Sequence, residues 1–224
     1  MKIGVLALQG AFIEHIQMLR RLGVEAVEVR LPGDLEGLDG LIIPGGESTT
    51  IGKLAEMVGL MEPLREFAAA HPVWGTCAGM IFMAKEIGLS QPLLGLMDIV
   101  VERNAFGRQV DSFEVDLPIT GLEKPFPAVF IRAPKLVAAN NGTQVLARLA
   151  DGTAVAAQEG QWLVTSFHPE LTDDPSLHAY FLSLVAKGQA KELVGTSSSA
   201  LSPHSSEASL SSSSLLNSFN PLAR

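Results

Sequence analysis

Gly75-Thr76-Cys77-Ala78-Gly79 limits the folds open to this chain more than any other stretch. The apolar run Pro72-Val73-Trp74 leads into it, and Met80-Ile81-Phe82-Met83-Ala84, apolar with a helical pattern, leads out. A strand, a tight turn and a helix in that order form an elbow that holds one side chain exposed on a strained backbone. The flanking glycines let the two backbones approach. The side chain so displayed belongs to the only cysteine of the chain. A thiol at the start of a helix faces free amides and the positive end of the helix dipole, which favour the thiolate. Cys77 is therefore the candidate nucleophile, against the simpler alternative of a buried structural thiol.

A base is expected in Trp162-Leu163-Val164-Thr165-Ser166-Phe167-His168-Pro169-Glu170, an apolar strand pattern that stops at His-Pro-Glu. Residues two apart in extended backbone share a side, so His168 and Glu170 are expected to stand together at a sheet end. An imidazole oriented by a carboxylate is what a cysteine nucleophile needs to exchange its proton. Leu41-Ile42-Ile43 is another apolar strand, followed by Pro44-Gly45-Gly46-Glu47-Ser48-Thr49-Thr50. Its paired glycines can turn backbone amides toward an oxyanion, and Ser48 or Thr49 is expected to cap the next helix. A Walker phosphate loop is excluded because Gly52-Lys53 is followed by Leu54. The first strand, Ile3 to Leu8, runs into Gln9-Gly10-Ala11 without the glycine spacing of a dinucleotide site.

Strand and helix patterns alternate through the first half: a strand at Ile3–Leu8, a helix from about Ala11 to Leu22, strands near Ala26–Val29 and Gly40–Ile43. Helices follow around Thr50–Met57 and Leu60–Ala69. Such alternation predicts an α/β fold in three layers, an open, mixed, mostly parallel sheet with helices on both faces. From Met97 to Val164 short strands and turns, among them Asn140-Asn141-Gly142 and Asp151-Gly152, predict hairpins folded back onto the same sheet. Asp174-Pro175-Ser176 opens a final helix to about Lys187. With 224 residues, 47% of them apolar, the chain can bury one sizeable core. A formal charge of −8 and the lack of any Lys/Arg run argue against a nucleic-acid surface. One cysteine excludes a disulfide framework and fits a reducing compartment, the cytoplasm. The apolar N-terminal run is too short for a signal peptide, and no segment is long enough for a membrane span.

Taken together, Pro44-Gly45-Gly46-Glu47-Ser48, Gly75-Thr76-Cys77-Ala78-Gly79 and Phe167-His168-Pro169-Glu170 resemble the class I (triad) glutamine amidotransferases, whose fold is flavodoxin-like. Four further segments narrow the resemblance to the glutaminase subunits of pyridoxal 5′-phosphate synthases: Ile3 to Phe12, Glu102-Arg103-Asn104-Ala105-Phe106-Gly107-Arg108-Gln109, Phe130-Ile131-Arg132-Ala133-Pro134 and Glu170 to Asp174. The resemblance implies hydrolysis of L-glutamine to L-glutamate and ammonia by a Cys77–His168–Glu170 triad. The amides of Gly46 and Ala78 would hold the oxyanion, and Gly46, Glu47, Ser48, Arg103, Ile131 and Arg132 would contact glutamine. A guanidinium suits an α-carboxylate because it can bind both oxygens at once. No cofactor or metal is implied. The implied partner is a (β/α)8-barrel synthase subunit of the PdxS type, which would receive the ammonia for vitamin B6 synthesis. Two other readings stay open: the glutaminase of another amidotransferase, such as imidazole glycerol phosphate synthase, or a non-catalytic regulatory module on the same fold. Complete Cys77, His168 and Glu170 argue against the second.

The resemblance ends near Lys187, which divides the chain into a glutaminase domain at 1–187 and a Ser-rich tail at 188–224. The tail has too few large apolar residues to offset chain entropy, so it is expected to be disordered. His15, His71, His178 and His204 lack metal-ligand spacing and receive no catalytic task; His15 is expected on a solvated helix face.

Overall fold

The computed structural model describes residues 1–103 and 112–198, with side chains as far as residue 190. Among these residues a mixed sheet takes shape around four parallel strands, apolar in the middle of the sheet and alternating at the edge strand. They are β1 (Lys2–Leu6), β2 (Glu25–Val29), β3 (Gly40–Ile43) and β4 (Val73–Thr76), set side by side in the order β2-β1-β3-β4. Strands covered on both faces read as continuous apolar runs, and Leu41, Ile42 and Ile43 are accordingly all buried. Helix α1 (Phe12–Arg21) crosses from β1 to β2. Helices α2 (Ser48–Met57) and α3 (Met61–Ala70) lie between β3 and β4, and α4 (Ala78–Met83) leaves β4.

Beyond β4 the chain adds β5 (Ala84–Glu86), β6 (Met97–Glu102), β7 (Ser112–Leu117), β8 (Phe126–Ile131), β9 (Lys135–Ala139), β10 (Gln144–Arg148), β11 (Ala154–Glu159) and β12 (Trp162–Thr165). The sheet continues β4-β12-β11-β9-β6-β5, with β10 also paired to β11. Its character changes at β12, which runs parallel to β4 on one side and antiparallel to β11 on the other. The expected mixed, mostly parallel sheet is therefore present, but not all of the later strands form hairpins folded back onto it. β7 and β8 pair only with each other, in a separate two-stranded sheet. The turn at Asn141 and Gly142 joins β9 to β10, which do not pair; the Asp151-Gly152 turn does close a hairpin, β10 against β11.

Strand alternation splits the core in two. Ile3, Val5, Ile42, Trp74 and Leu163 face α1, β8 and α5 (Ser176–Ser198), packing on Ile16, Leu19, Phe130, Phe167 and Phe181. Leu6, Leu41, Ile43, Val73 and Val164 face α2, α3 and α4, packing on Ile51, Leu64, Met80 and Phe82. Burial of such side chains stabilises by about 1.5–3 kcal/mol each. Helix α4 lies so close to β3 that a Cβ on Gly79 would stand 2.0 Å from the Ile43 carbonyl oxygen. Helix α5 runs to Ser198, past the Lys187 end expected from the apolar pattern. Residues 199–224, most of the Ser-rich tail, lie outside the described residues, as do Asn104 to Gln109 with Arg108.

Candidate active site

The nucleophile candidate stands where β4 turns into α4. Cys77 has φ 47° and ψ −103°, a combination that an L-residue adopts only when its surroundings force it. Three neighbours supply that force. The Cys77 amide donates to the Thr165 carbonyl at 2.8 Å, fixing the elbow to the end of β12. A Cβ on Gly75 would fall 2.6 Å from the backbone of Gly79, so the chain can double back only without one. Ala78 then begins a helix of six buried residues that ends at Met83, one residue before the apolar pattern does, because Ala84 already opens β5. The thiol is nearly buried, at 7% exposure.

β12 pairs with β4 from Trp162 opposite Val73 to Thr165 opposite Thr76, so the two chains leave the sheet together. The strand ends at Thr165, three residues before His168, and a 3-10 turn at Pro169–Leu171 follows. His168 and Glu170 therefore meet across this turn, rather than along the extended backbone that the sequence suggests. Their contact is short: the Nδ1 of His168 lies 2.7 Å from the Oε1 of Glu170. The His168 amide donates to the Val129 carbonyl at 2.8 Å, which ties this residue to β8.

The charges are strongly displaced. Burial works to lower the His168 pKa, but hydrogen bonding to Cys77 and to Glu170, with their negative charge, raises it to about 10. Burial likewise works to raise the Glu170 pKa, yet His15 and His168 together pull it far below the ordinary carboxylate range. The arrangement holds an imidazole that favours its protonated form between the Cys77 thiol and the Glu170 carboxylate.

The Pro44–Gly46 loop closes over this pair. A Cβ on Gly45 would stand 2.4 Å from His168 Cε1 and 3.3 Å from the Cys77 Cβ. The loop is held from behind: Ala11 donates its amide to the Gly45 carbonyl at 3.0 Å, and Glu47 donates its own to the Gln9 Oε1 at 2.7 Å. Neither Ser48 nor Thr49 caps α2. Glu47 does, accepting from the amides of Thr49 and Thr50 at 3.1 and 2.6 Å and from the Thr50 hydroxyl at 2.7 Å. Partial burial opposes its ionisation, but the hydrogen bonds from Thr50 and Thr49 outweigh it and bring the Glu47 pKa down to about 2. Arg103 extends this cluster, donating to Glu47 at 2.9 Å, to the Thr49 hydroxyl at 3.0 Å and to the Gln91 Oε1 at 2.7 Å. Ser48, buried beside them, lies within 3.4 Å of Gln91. Ile131 and Arg132 stand exposed at the end of β8, two and three residues beyond the Val129 that holds His168; Arg132 has φ 44°.

The structure thus gathers Cys77, His168 and Glu170 at one edge, with Gly45 against them and Gly46, Glu47, Ser48 and Arg103 in one adjoining cluster. Sequence reasoning missed Gln91, which bonds Arg103 and Thr49, and misplaced His15. This histidine is fully buried, its Nε2 3.3 Å from the Oε2 of Glu170. The signal was in the helix period: His15 falls three residues after Phe12 and four before Leu19, on the apolar face of α1. Among the described residues no group of three His, Cys, Asp or Glu side chains is arranged to hold a metal ion, and no helix is long and apolar enough to cross a membrane.

Comparison with known proteins identifies the site's relatives. The SNO glutamine amidotransferase family matches residues 5–187. The chain belongs to this family. The pyridoxal 5′-phosphate synthase subunit PdxT of Geobacillus kaustophilus is 57% identical over 191 residues, covering 84% of this chain and 97% of its own length. The PdxT subunit of Carboxydothermus hydrogenoformans is 59% identical over 191 residues, covering 84% of this chain and 100% of its own. A glutamine amidotransferase crystal structure, 54% identical, matches this fold with a TM-score of 0.79 over 82% of this chain and 98% of that one. A Thermoplasma acidophilum protein described as a GMP synthase component shares the fold alone, at 18% identity and a TM-score of 0.64 over 86% of this chain and 97% of that one. In this glutamine amidotransferase family member the three-layer α/β fold is therefore the family's own.

Proposed function

We propose that this chain is the glutaminase subunit of a pyridoxal 5′-phosphate synthase, releasing ammonia from L-glutamine through Cys77, His168 and Glu170. One observation carries the reading: a lone cysteine on a forced backbone, with an imidazole raised to a pKa of about 10 by that cysteine and a buried carboxylate. The high identity to PdxT subunits supports the pathway.

In this reading the Cys77 thiolate attacks the side-chain amide carbon of glutamine. The carbonyl oxygen gains the negative charge, and the amides of Ala78 and Gly46 receive it. As the carbon–nitrogen bond breaks, the His168 Nε2 gives its proton to the leaving nitrogen, so that ammonia departs and a thioester remains. His168, now neutral, takes a proton from water, and the hydroxide adds to the thioester. Collapse expels the Cys77 thiolate and leaves glutamate. Glu170 holds one imidazole orientation through both halves. Arg103, Arg132, Ile131, Glu47 and Ser48 would contact the amino-acid end of glutamine. Ammonia would pass to a (β/α)8-barrel synthase subunit of the PdxS type, in the cytoplasm. The test is glutamate release by the purified chain, alone and titrated with that barrel subunit. Glutamate formed at a rate that rises with the barrel supports the reading, whereas no glutamate under either condition refutes it.

A further inference from the structure

Behind Glu170, away from His168, lies a second imidazole pair that the triad does not require. His15 on α1 and His178 on α5 are both fully buried, and their Nδ1 and Nε2 atoms lie 3.0 Å apart. The Nε2 of His15 sits 3.3 Å from the Thr76 hydroxyl on β4 and 3.3 Å from the Oε2 of Glu170. The indole of Trp74 packs edge-on against both rings, at 5.7 and 5.0 Å. The polar groups facing the His15 ring are thus Glu170 from the 3-10 turn, Thr76 from β4 and His178 from α5. Among the described residues the Oε2 of Glu170 has the 3.3 Å approach of His15 but no hydrogen-bond partner, and the Nδ1 of His178 has no partner.

For singly protonated rings, these contacts select between two arrangements. If His15 donated from Nδ1, its bare Nε2 would direct a lone pair at the Glu170 carboxylate. His178 would then carry its proton on Nδ1, a buried N–H with no acceptor. The reverse arrangement avoids both penalties: His178 donates from Nε2 to the Nδ1 of His15, and His15 directs its Nε2 proton at Thr76 and Glu170. Desolvation, with His15 beside it, keeps His178 neutral despite the opposing pull of Glu170. The polarity then runs one way, from α5 through α1 to the carboxylate.

We propose that His15, keyed into one tautomer by His178, is a positioning residue that holds the second carboxylate oxygen of Glu170, so that the first stays on His168. Without it, Oε2 would be a buried anionic oxygen with no group opposite it to fix the carboxylate's rotation, and the hold of Oε1 on His168 would loosen. The inference rests on the reading of His168 as the base.

Cys77 is the only thiol, so its alkylation by iodoacetamide in the full-length protein reports the thiolate–imidazolium pair without glutamine or a partner. His15→Gln puts a carboxamide N–H where Nε2 stands; His15→Asn reaches only to the Nδ1 position. The Gln variant is expected to alkylate within about threefold of the parent, and the Asn variant about tenfold more slowly at neutral pH with a displaced pH midpoint, the cost of one unsatisfied buried acceptor. In the complex with the synthase, kcat for glutamate release should fall in the Asn variant with KM unchanged. Equal alkylation of parent, Gln and Asn variants, or equal slowing of both variants, overturns the proposal. Nitrogen-15 NMR of the unsubstituted protein tests the relay even if the Asn variant fails to fold: Nε2–H on both His15 and His178 is expected, and Nδ1–H on either refutes it. A parent that never releases glutamate would instead defeat the functional reading, with the NMR and alkylation results standing apart from it.

Discussion

Gly45 and His168 share space that only one of them can fill. A Cβ on Gly45 would lie 2.4 Å from the Cε1 of His168, inside any tolerable carbon–carbon approach. The glycine lets the Pro44–Gly46 loop press on the base and narrows the imidazole to a single seat between Cys77 and Glu170. Gly45→Ala should therefore displace the imidazole and lower glutaminase kcat by about a hundredfold, the scale of a misplaced catalytic group. Steady-state kinetics with the synthase present would check it, and a variant within threefold of the parent would contradict the close packing.

Cys77→Ala should abolish glutamate release, by at least about a thousandfold, since Cys77 is the only cysteine of the chain. Its fold should persist, because the elbow is held by backbone contacts to Thr165 rather than by the sulfur. A glutamine analogue carrying an electrophile should label the parent once and this variant not at all, read by intact-protein mass.

The shifted pKa values set a stability window. His168 is raised from 6.5 to about 10, so its stabilising contribution is fully present below 6.5 and lost as the pH rises through 10. Glu170 is depressed below its ordinary 4.5, so its contribution is present above 4.5 and lost as the pH falls through the lower native value. The urea midpoint of the parent should thus exceed that of His168→Gln most near pH 6, with the gap closing toward pH 10. For Glu170→Gln the gap should close on the acid side instead.

Variants of Glu47 and Arg103 would separate helix capping from the proposed contact with glutamine. Glu47→Ala removes the acceptor at the start of α2 and should cost about 1 kcal/mol of stability. Arg103→Ala should leave the thermal midpoint almost unchanged but raise KM for glutamine about tenfold or more, as expected when a charge-assisted contact to a carboxylate is lost. Equal KM values for the parent and the Arg103 variant would remove this arginine from the substrate site.

We propose that the segment beyond α5 contributes nothing to fold or catalysis. Deleting residues 199–224 should shift neither the thermal midpoint nor the glutamate release rate. A cut after Lys187 also removes the exposed hydrogen bond between Gln189 and Asp39, and should cost less than about 1 kcal/mol. Scanning calorimetry of the two truncations distinguishes these cases.

The parts of this architecture that were legible in the sequence are those written in local pattern. The inner parallel strands declare themselves because burial on both faces makes them nearly continuously apolar, and the elbow because glycines bracket a cysteine between strand and helix. His168 and Glu170 were paired correctly for an incomplete reason: the two-residue spacing suggested extended backbone, while Pro169 starts a 3-10 turn that reaches the same contact. What the sequence hid depends on the third dimension. β7 and β8 look like part of the main sheet until they are seen to pair only with each other. His15 and His178, 163 residues apart, become partners only when α1 and α5 pack on the same face. A polar residue in an apolar helical stripe was the available clue in both helices, since His178 lies three residues before the buried Phe181.

The position of β12 has a consequence for how activity arises during synthesis. Its four residues fill a central slot of the sheet, between β4 and β11, yet they are made late, 85 residues or more after their β4 partners. Until that slot is filled, Cys77 lacks the Thr165 carbonyl that fixes its backbone, and the base has not emerged from the ribosome. Long-range closure of this kind is slow compared with local helix formation. A chain that stops short of β12 would therefore spill no ammonia: competence for glutamine waits for that strand, and reports that the sheet has closed.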